Sequence, residues 1–219
     1  MLNIEAATYD TLTSLPLFMG MGAQELTVML ERVNFNRITL SANQRFIAQG
    51  DSCQHLVLLT QGTMTVVTTS PLNDWTLTET IQAPAVLEPE VLQGRQRCYQ
   101  SSYRAETSCQ LLQVQKEQVS QTLMHIPVWR INFLNIISSM AASRLQMLTP
   151  APAPTVDENI RLLLLRMCRT TKGKHTLHIS QTSLGEYLAT GRKTISPALK
   201  RLQKAGIINY CRQNITIET

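Results

Sequence analysis

Long apolar runs are missing from this chain. The longest, such as residues 162–165, last only a few residues, far short of the roughly 20 that a membrane-spanning helix requires. Proline and glycine number 9 each among 219 residues, and 43% of the residues are hydrophobic, which excludes collagen-like and globally disordered proteins. Residues 1–10 contain Glu5 and Asp10 and lack the basic start and apolar core of a signal peptide. We therefore expect a cytoplasmic protein.

Recognisable metal and catalytic motifs are also missing. The cysteines at positions 53, 98, 109, 168 and 211 form no Cys-x-x-Cys pair. This scatter does not favour a disulfide framework or a cysteine metal site, although ligands distant in sequence can converge in space. We interpret the cysteines as free thiols and expect no metal. No G-x-S-x-G, H-E-x-x-H or P-loop motif is present, so the sequence does not predict an enzyme.

The net charge of +5 is unevenly distributed. Residues 1–154 hold 9 Lys and Arg against 11 Asp and Glu, a net charge of −2, whereas residues 155–219 hold 11 against 4, a net charge of +7. Six basic residues and no acidic residue lie between Arg192 and Arg212. Such a field suits a polyanion, but charge alone does not distinguish a DNA-binding surface from a solvated basic face.

Three prolines at alternate positions mark the boundary between these two charge regions. Pro150, Pro152 and Pro154 cannot continue a helix, and each biases the residue before it toward an extended conformation. The sequence therefore predicts a short, semi-rigid hinge at residues 150–154. The parts on either side, of about 150 and about 65 residues, are both feasible domain sizes.

The first part combines short strands with a brief opening helix that ends near residues 30–33. Segments rich in Thr, Val, Ile and Leu alternate with turn residues such as Gly50-Asp51 and Gln61-Gly62. The predicted strands cover residues 45–48, 55–59, 63–68, 75–81 and 109–114. Short strands at this spacing predict a β-sandwich or β-roll over residues 1–126.

A long helix with two apolar stripes is predicted over residues 127–149. The first stripe has the 4, 3, 4, 3 spacing of a coiled-coil seam and comprises Trp129, Phe133, Ile136, Met140, Ser143 and Met147. The second comprises Leu134, Ile137, Ala141, Leu145 and Leu148. We expect one stripe to pack on the β-roll and the other on a second copy, with the first stripe as the dimer interface. The alternative is that both stripes are buried within one chain.

The C-terminal part has the element order of a winged helix-turn-helix. A helix at residues 156–170 and a strand at 175–179 precede a short helix capped by Ser180, a turn at 189–191 and a basic helix at 192–204. A hairpin at residues 207–209 and 215–217 follows. Two short helices joined by a tight turn, together with a hairpin, are typical of this DNA-binding fold. The alternative for the basic helix is a solvated surface with no role in a DNA groove.

Residues 179–202, continuing into Gly206-Ile207-Ile208, resemble the helix-turn-helix and wing of the cyclic AMP receptor and fumarate-nitrate reduction regulator (Crp/Fnr) family. Gly50-Asp51, residues 56–58 and Gly62 resemble the family's β-roll hairpin, and residues 142–146 resemble the end of its long dimerisation helix. The resemblance covers essentially the whole chain. It implies an α+β fold with a cyclic-nucleotide-binding-like β-roll, or jelly roll, at 1–126, a dimerisation helix at 127–149, a hinge at 150–154 and a winged helix-turn-helix at 155–219.

The resemblance also implies partners. A bacterial, homodimeric transcription regulator of this type binds a pseudo-palindromic operator in double-stranded DNA, and RNA polymerase is a further expected partner. The predicted DNA-binding residues are Ser180, Gln181, Arg192, Lys193, Thr194, Ser196, Lys200 and Arg212. The alternative is a dimeric small-molecule-binding module with nonspecific nucleic-acid affinity.

Two positions in the basic helix depart from the family's pattern. Arg192 falls on the base-reading arginine, but Lys193 falls where the family usually has glutamate. Because lysine cannot accept a hydrogen bond from cytosine N4, we expect a different preferred half-site. Pro197 replaces another base-contacting arginine and should bend or loosen the helix.

The predicted effector pocket differs from the family's pattern more than the basic helix does. Cyclic-nucleotide binders carry a Gly-Glu-Leu turn followed by Arg-Ser or Arg-Thr, and the corresponding stretches here are residues 86–91 and 99–102. No arginine stands at the phosphate position, and two carboxylates would repel a phosphate. Cyclic AMP or GMP is therefore not the expected ligand. The candidate pocket residues are Glu88, Glu90, Tyr99, Gln100, Ser101 and Ser102.

Two other sensor chemistries of the family are also not expected. The iron–sulfur members need an N-terminal cysteine cluster, and no cysteine precedes Cys53. Haem needs an axial ligand, and His55 and His125 have no supporting motif around them. The effector is then another small molecule, or there is none.

Overall fold

The structure is a computed structural model that describes residues 11–95, 97–148, 155–168 and 173–218. The predicted hinge at 150–154 lies outside these residues. The chain forms two compact units, one within Met1–Met64 and Gln82–Ala142 and the other within Thr65–Ile81 and Ser143–Thr219. The predicted domains divide the chain before residue 155. The structure instead assigns an internal segment of the predicted β-roll, Thr65–Ile81, to the C-terminal unit.

The order of helices and strands follows the predicted pattern. In chain order they are α1 (Ala23–Arg32), β1 (Asn36–Leu40), β2 (Arg45–Ile47), β3 (His55–Gln61), β4 (Thr63–Thr69), β5 (Trp75–Gln82), β6 (Ala85–Leu87), α2 (Pro89–Leu92), β7 (Ser102–Ala105), β8 (Cys109–Gln115), α3 (Lys116–Gln121), α4 (Pro127–Leu148), α5 (Val156–Met167), β9 (Lys174–Ile179), α6 (Gln181–Tyr187), α7 (Arg192–Lys204), β10 (Asn209–Cys211) and β11 (Asn214–Glu218).

An antiparallel sheet in the order β1-β8-β3-β6 forms the centre of the first unit, and β2 pairs with β7. Leu58 on β3 lies opposite Leu112 on β8 and Val86 on β6. The side chains of residues 56–59 are all buried, because this strand is central in its sheet and both of its faces are covered. The predicted strands at 55–59 and 109–114 are confirmed, each with one or two additional residues.

The predicted turn at Gln61-Gly62 also lies in this unit. Gly62 has φ +93°, and a Cβ atom there would lie 2.4 Å from the Ser108 carbonyl oxygen. Only glycine fits, since both the left-handed backbone and the close approach exclude a side chain. The turn brings β4 directly after β3.

Helix α4 corrects the predicted dimer interface. Trp129 and Phe133 are buried within their own chain, and their rings stack with centroids 5.2 Å apart. They therefore belong to the core of the first unit and are not available to a second copy. The other stripe is more exposed: Leu134 is 53% exposed, Leu145 is 62% exposed and Ile137 is half-buried. The side chain of Leu148 lies outside the described residues. Ile136 and Met140 are half-buried, and the side chains of Ser143 and Met147 lie outside the described residues.

The second unit packs helices against an antiparallel sheet in the order β10-β11-β9-β5-β4. Its core is apolar and comprises Leu77, Ile160, Leu164, Leu177, Ile179, Leu184, Ile195, Ala198, Leu199, Leu202, Ile208 and Ile215. The residue from β5, Leu77, lies opposite Leu177 of β9. The strand that precedes the helix-turn-helix thus shares its core with the internal segment Thr65–Ile81.

Two predicted boundaries in this unit differ from the structure. Helix α5 ends at Met167 and Cys168 follows in an extended conformation, so the predicted helix at 156–170 is shorter. Strand β10 begins at Asn209, two residues after the predicted start. Arg212 and Gln213 both have positive φ, at 48° and 71°, which is the geometry of a two-residue hairpin turn.

The predicted α+β fold class is confirmed, with a β-roll, a long helix and a winged helix-turn-helix in that order. Within the described ranges, no helix combines the length and the apolar character needed to span a bilayer.

Candidate nucleic-acid interface and effector pocket

Helices α6 and α7 are joined by a tight turn. The Ser183 backbone N–H donates to Ser180 Oγ at 2.9 Å, which caps the start of α6 as predicted. At the other end, the Thr190 N–H donates to the Gly185 carbonyl at 2.8 Å. A Cβ on residue 185 would lie 2.7 Å from the Thr190 carbonyl oxygen. Glycine at this position therefore lets the turn fold closely against α6.

Helix α7 has one buried face and one basic face. Ile195, Leu199 and Leu202 are buried, as their spacing predicts, and Ala198 joins them. Arg192, Lys193 and Lys200 are exposed. Because the apolar side chains fix the rotation of the helix about its axis, the basic side chains are held on its outer surface.

The remaining predicted DNA-binding residues differ in their surroundings. Thr194 is exposed on α7 and Ser196 is half-buried. Gln181 Nε2 donates to the Tyr210 hydroxyl at 2.9 Å, so this side chain connects α6 to the wing. Arg212 is exposed at the wing turn. The structure thus places Arg192, Lys193, Thr194 and Lys200 on one helix, while Ser180 and Gln181 have structural contacts of their own.

One basic residue of α7 has an acidic partner within the protein. Arg201 donates from Nε to Asp157 Oδ2 at 2.8 Å and from Nη2 to Asp157 Oδ1 at 2.5 Å. This bidentate hydrogen bonding holds the pKa of Asp157 below its usual value. Sequence reasoning counted Arg201 with the basic run and missed Asp157, since 44 residues separate the two.

Pro197 does not end α7. The helix continues from Arg192 to Lys204 with Pro197 inside it and exposed. Proline lacks an N–H group, so the Lys193 carbonyl loses its usual helical donor. The loosening that the sequence predicts is therefore limited to one missing hydrogen bond in a continuous helix.

Strand β5 contacts α6 through a pair that the sequence did not indicate. Trp75 Nε1 donates to the Tyr187 hydroxyl at 3.0 Å. Burial, followed by a hydrogen bond to Asp74, raises the pKa of Tyr187. No local signal could reveal this pair, because the residues are 112 positions apart.

Two of the predicted effector-pocket residues, Glu88 and Gln100, are hydrogen-bonded to each other in the first unit, and Glu88 and Ser102 also have other partners within the protein. Glu88 is 3% exposed. Its Oε2 accepts from the Gln100 backbone N–H at 2.6 Å, and its Oε1 accepts from the Tyr103 hydroxyl at 3.1 Å. Ser101 is fully buried beside them. Ser102 Oγ accepts from the Gln49 N–H at 2.9 Å. Both carboxylate oxygens of Glu88 and the Ser102 hydroxyl oxygen therefore accept hydrogen bonds from the protein itself.

A buried thiol and phenol lie next to this carboxylate. Burial raises the pKa of the Cys53 thiol, and burial followed by the hydrogen bond to Cys53 raises the pKa of Tyr99. Glu88 adds to both shifts by its negative charge. Both groups thus stay neutral at physiological pH.

Comparison with protein-family models matches both units. A Crp-like helix-turn-helix domain matches residues 160–219, and a cyclic nucleotide-binding domain matches residues 37–125. Together the two domains span more than half of the chain. The chain belongs to the Crp/Fnr family. This membership makes it a transcription regulator with a helix-turn-helix DNA-binding domain.

Solved structures of similar fold support the Crp/Fnr architecture. The catabolite activator protein of Thermus thermophilus shares 20% identity at a TM-score of 0.53, with 93% of each chain covered. The sensor domain of the transcriptional regulator DNR from Pseudomonas aeruginosa shares 14% identity at a TM-score of 0.54, covering 69% of this chain and 97% of that one. At these identities the similarity shows the fold alone. A comparison with curated protein sequences finds no match.

Proposed function

We propose that this Crp/Fnr chain is a homodimeric, sequence-specific DNA-binding regulator that does not use a cyclic nucleotide as effector. The observation that carries the proposal is the two-sided helix α7. Its apolar side chains are buried in the second unit, and Arg192, Lys193 and Lys200 are exposed. An arginine in the first turn of such a helix can make two hydrogen bonds to guanine in the major groove, while lysines neutralise phosphates.

An exposed stripe of α4, which shares Leu134, Ala141 and Leu145 with the second predicted stripe, supports the homodimer. Ile131, Leu134 and Leu145 are all more than half exposed. With Ser138 and Ala141, which are also exposed, they have the 3, 4, 3, 4 spacing of a coiled-coil seam. A second copy of the same helix would bury this stripe about a two-fold axis. Two DNA-binding units would then meet a pseudo-palindromic operator.

The contacts of Glu88 support an effector other than cyclic AMP or GMP. Each oxygen of this carboxylate already accepts a hydrogen bond from the protein, one from a backbone amide and one from a tyrosine. Its negative charge also opposes a nearby phosphate. Calorimetric titration with cyclic AMP and cyclic GMP should show no saturable binding, and saturable binding would refute this part of the proposal.

The expectations of no iron–sulfur cluster and no haem belong to the same proposal. We also propose that RNA polymerase is a partner and that the protein acts in the cytoplasm, where the chromosome of a bacterium lies. The purified dimer should carry no visible absorption from iron–sulfur or haem groups, and such absorption would contradict this expectation.

Selection of operators from a random duplex pool by the full chain is the decisive experiment. We expect the selected operators to contain two related half-sites arranged as an inverted repeat. The chain should bind the selected operator about 10³-fold or more tightly than random duplex at physiological salt. Arg192→Ala should relax base choice at a cost of roughly 1 to 3 kcal/mol. Lys200→Ala should weaken binding to all duplexes alike. It should also reduce the slope of log binding constant against log salt concentration by about one unit.

The alternative function is a dimeric small-molecule-binding module with nonspecific nucleic-acid affinity. It predicts no enriched motif and the same effect of both substitutions on every duplex. That result would refute sequence-specific regulation.

A further inference from the structure

Three potential metal ligands from separate parts of the chain meet in the second unit. Glu79 on β5 lies directly opposite His175 on β9 in the strand pairing. Cys168 immediately follows α5. One ligand atom from each residue lies within 4.8 Å of the other two. The protein fold therefore brings together a carboxylate oxygen, an imidazole nitrogen and a sulfur.

The environment of these residues differs from that of a surface cluster. Glu79 and His175 are each 1% exposed, and Cys168 is half-buried. Glu79 and His175 are hydrogen-bonded to each other, which offsets part of the hydration that each loses on burial. Strand pairing fixes the backbone of two of the three, so the ligands are held by regular structure.

The geometry is close to what a tetrahedral ion requires. With zinc bonds of about 2.0 Å to nitrogen and oxygen and about 2.3 Å to sulfur, neighbouring ligands lie roughly 3.3 to 3.6 Å apart. Glu79 Oε1 and His175 Nδ1 are already 3.1 Å apart. The Cys168 sulfur lies within 4.8 Å of both atoms, so it has to move closer for all three to bind one ion.

We propose that Glu79, Cys168 and His175 form a binding site for a divalent transition metal, with zinc as the best match. A mixed set of nitrogen, sulfur and oxygen ligands suits zinc and cobalt, whereas calcium and magnesium prefer oxygen alone. Three protein ligands leave a fourth position for water. This replaces the expectation of no metal, which rested on cysteine spacing and could not detect ligands 89 and 7 residues apart.

Binding includes a proton transfer. The Cys168 thiol donates to the Leu164 carbonyl at 3.1 Å. When the metal binds, this hydrogen bond and the one between His175 Nδ1 and Glu79 Oε1 break. A proton on His175 Nδ1 moves to Nε2, a sulfur–metal bond forms and the thiol proton goes to the solvent. The metal stays divalent, and no oxidant or reductant takes part.

The bound metal would connect three elements of the DNA-binding unit. It would join β5 and β9 on the sheet to the end of α5. Because the metal would bind the folded chain more tightly than the unfolded chain, the second unit would become more resistant to unfolding as metal concentration rises. The site is independent of the proposed operator specificity, since none of its residues lies on α7.

Cobalt titration of the full, chelator-treated and desalted chain tests the site. We expect one Co²⁺ per chain with the near-ultraviolet charge-transfer band of a cobalt–thiolate bond, and displacement of the cobalt by Zn²⁺. Cys168→Ser should abolish the band and weaken zinc binding by more than about a hundredfold, beyond the loss typical of an outer-shell change. Glu79→Gln should weaken binding but keep the band, and it serves as the second variant if Cys168→Ser does not fold.

The chain offers matched controls on the same unit. His178→Asn changes the other histidine of β9, which is exposed and lies 2.9 Å from Asn214, and Cys211→Ser changes an exposed cysteine. Both should bind cobalt as the unmodified chain does. Absence of stoichiometric binding, a band that survives Cys168→Ser, or a band lost in either control would overturn the proposal. Circular dichroism of each variant distinguishes lost ligands from lost structure.

Discussion

The guanidinium of Arg201 on α7 forms two hydrogen bonds with the carboxylate of Asp157, near the start of α5. This pair neutralises one positive charge on the basic surface of α7. It also connects two helices whose sequence positions gave no reason to associate them.

Asp157→Asn should therefore strengthen nonspecific DNA binding and weaken folding. Releasing Arg201 adds one phosphate contact, so the slope of log binding constant against log salt should steepen by about one unit. The lowered pKa of Asp157 means that the pair stabilises the protein above the ordinary aspartate pKa of about 3.9 and loses this effect as pH falls through the lowered value. Urea unfolding should show the variant less stable at neutral pH, with the difference disappearing in acid.

Glu158→Gln is the matched control for this experiment. It removes the carboxylate that pairs with Arg161 at 2.7 Å within α5 and leaves Arg201 with its partner. Its salt slope should equal that of the unmodified chain. An equal steepening in both variants would show that the loss of any acidic group explains the effect.

Lys193→Glu should change base preference. Glutamate can accept a hydrogen bond from cytosine N4, which lysine cannot do, so operator selection with this variant should enrich cytosine at one position of each half-site. Overall affinity should fall because a positive charge is replaced by a negative one. Lys193→Ala is the control, with lower affinity and no new preference. Identical selected sequences for all three proteins would place residue 193 away from the bases.

Pro197→Ala should stabilise the chain. The substitution restores an N–H donor for the Lys193 carbonyl and removes a ring from the interior of α7, which should raise the free energy of unfolding by about 1 to 3 kcal/mol. Denaturant unfolding of the full chain measures this directly. A neutral or destabilising effect would mean that the ring makes contacts worth as much as the missing hydrogen bond.

The two stripes of α4 should respond differently to substitution. Leu134→Asp places a charge on the exposed stripe, so sedimentation should show a monomer with a folded β-roll. Trp129→Ala removes a fully buried ring and should cost about 3 to 5 kcal/mol of stability. Leu72→Asp, at a side chain that is 83% exposed outside this helix, should leave the oligomeric state unchanged. A Leu134→Asp chain that sediments as the unmodified chain does would contradict the proposed interface.

The five thiols should divide by reactivity in the folded, metal-free chain. Cys98 and Cys211 are exposed, Cys53 and Cys109 are buried, and burial raises the pKa of Cys168 to about 12. Because the thiolate is the reactive form, Cys168 should react about a thousandfold more slowly than an ordinary exposed thiol near neutral pH. Maleimide labelling followed by mass spectrometry should find residues 98 and 211 modified first. Early labelling of Cys168 would contradict the burial seen in the structure.

The sequence predicted local elements well, because periodicity reports which face of an element is apolar. The spacing of Ile195, Leu199 and Leu202 fixed the buried face of α7, and the cap at Ser180 fixed the start of α6. The two stripes of α4 show where this reasoning ends. Both are apolar, and spacing alone does not reveal which of them meets the β-roll.

Relationships between distant residues could not be predicted for a related reason. The strand pairing of Glu79 with His175 and the ion pair of Asp157 with Arg201 each depend on how separate segments pack. The absence of a Cys-x-x-Cys pair argued only against metal ligands that are close together in sequence. It therefore missed the group around Cys168, which forms only after β5 and β9 have paired.

The pairing of β5 with β9 has a practical consequence for dividing this protein. A fragment cut at the proline-rich stretch, residues 155–219, would leave β9 without the neighbour that Trp75–Gln82 provides. Its backbone amides and carbonyls would then face solvent along an open sheet edge, with Leu177 and Ile179 losing cover from Leu77. Such an edge recruits strands from other molecules, so the isolated fragment should form aggregates larger than the dimer that we propose for the intact chain.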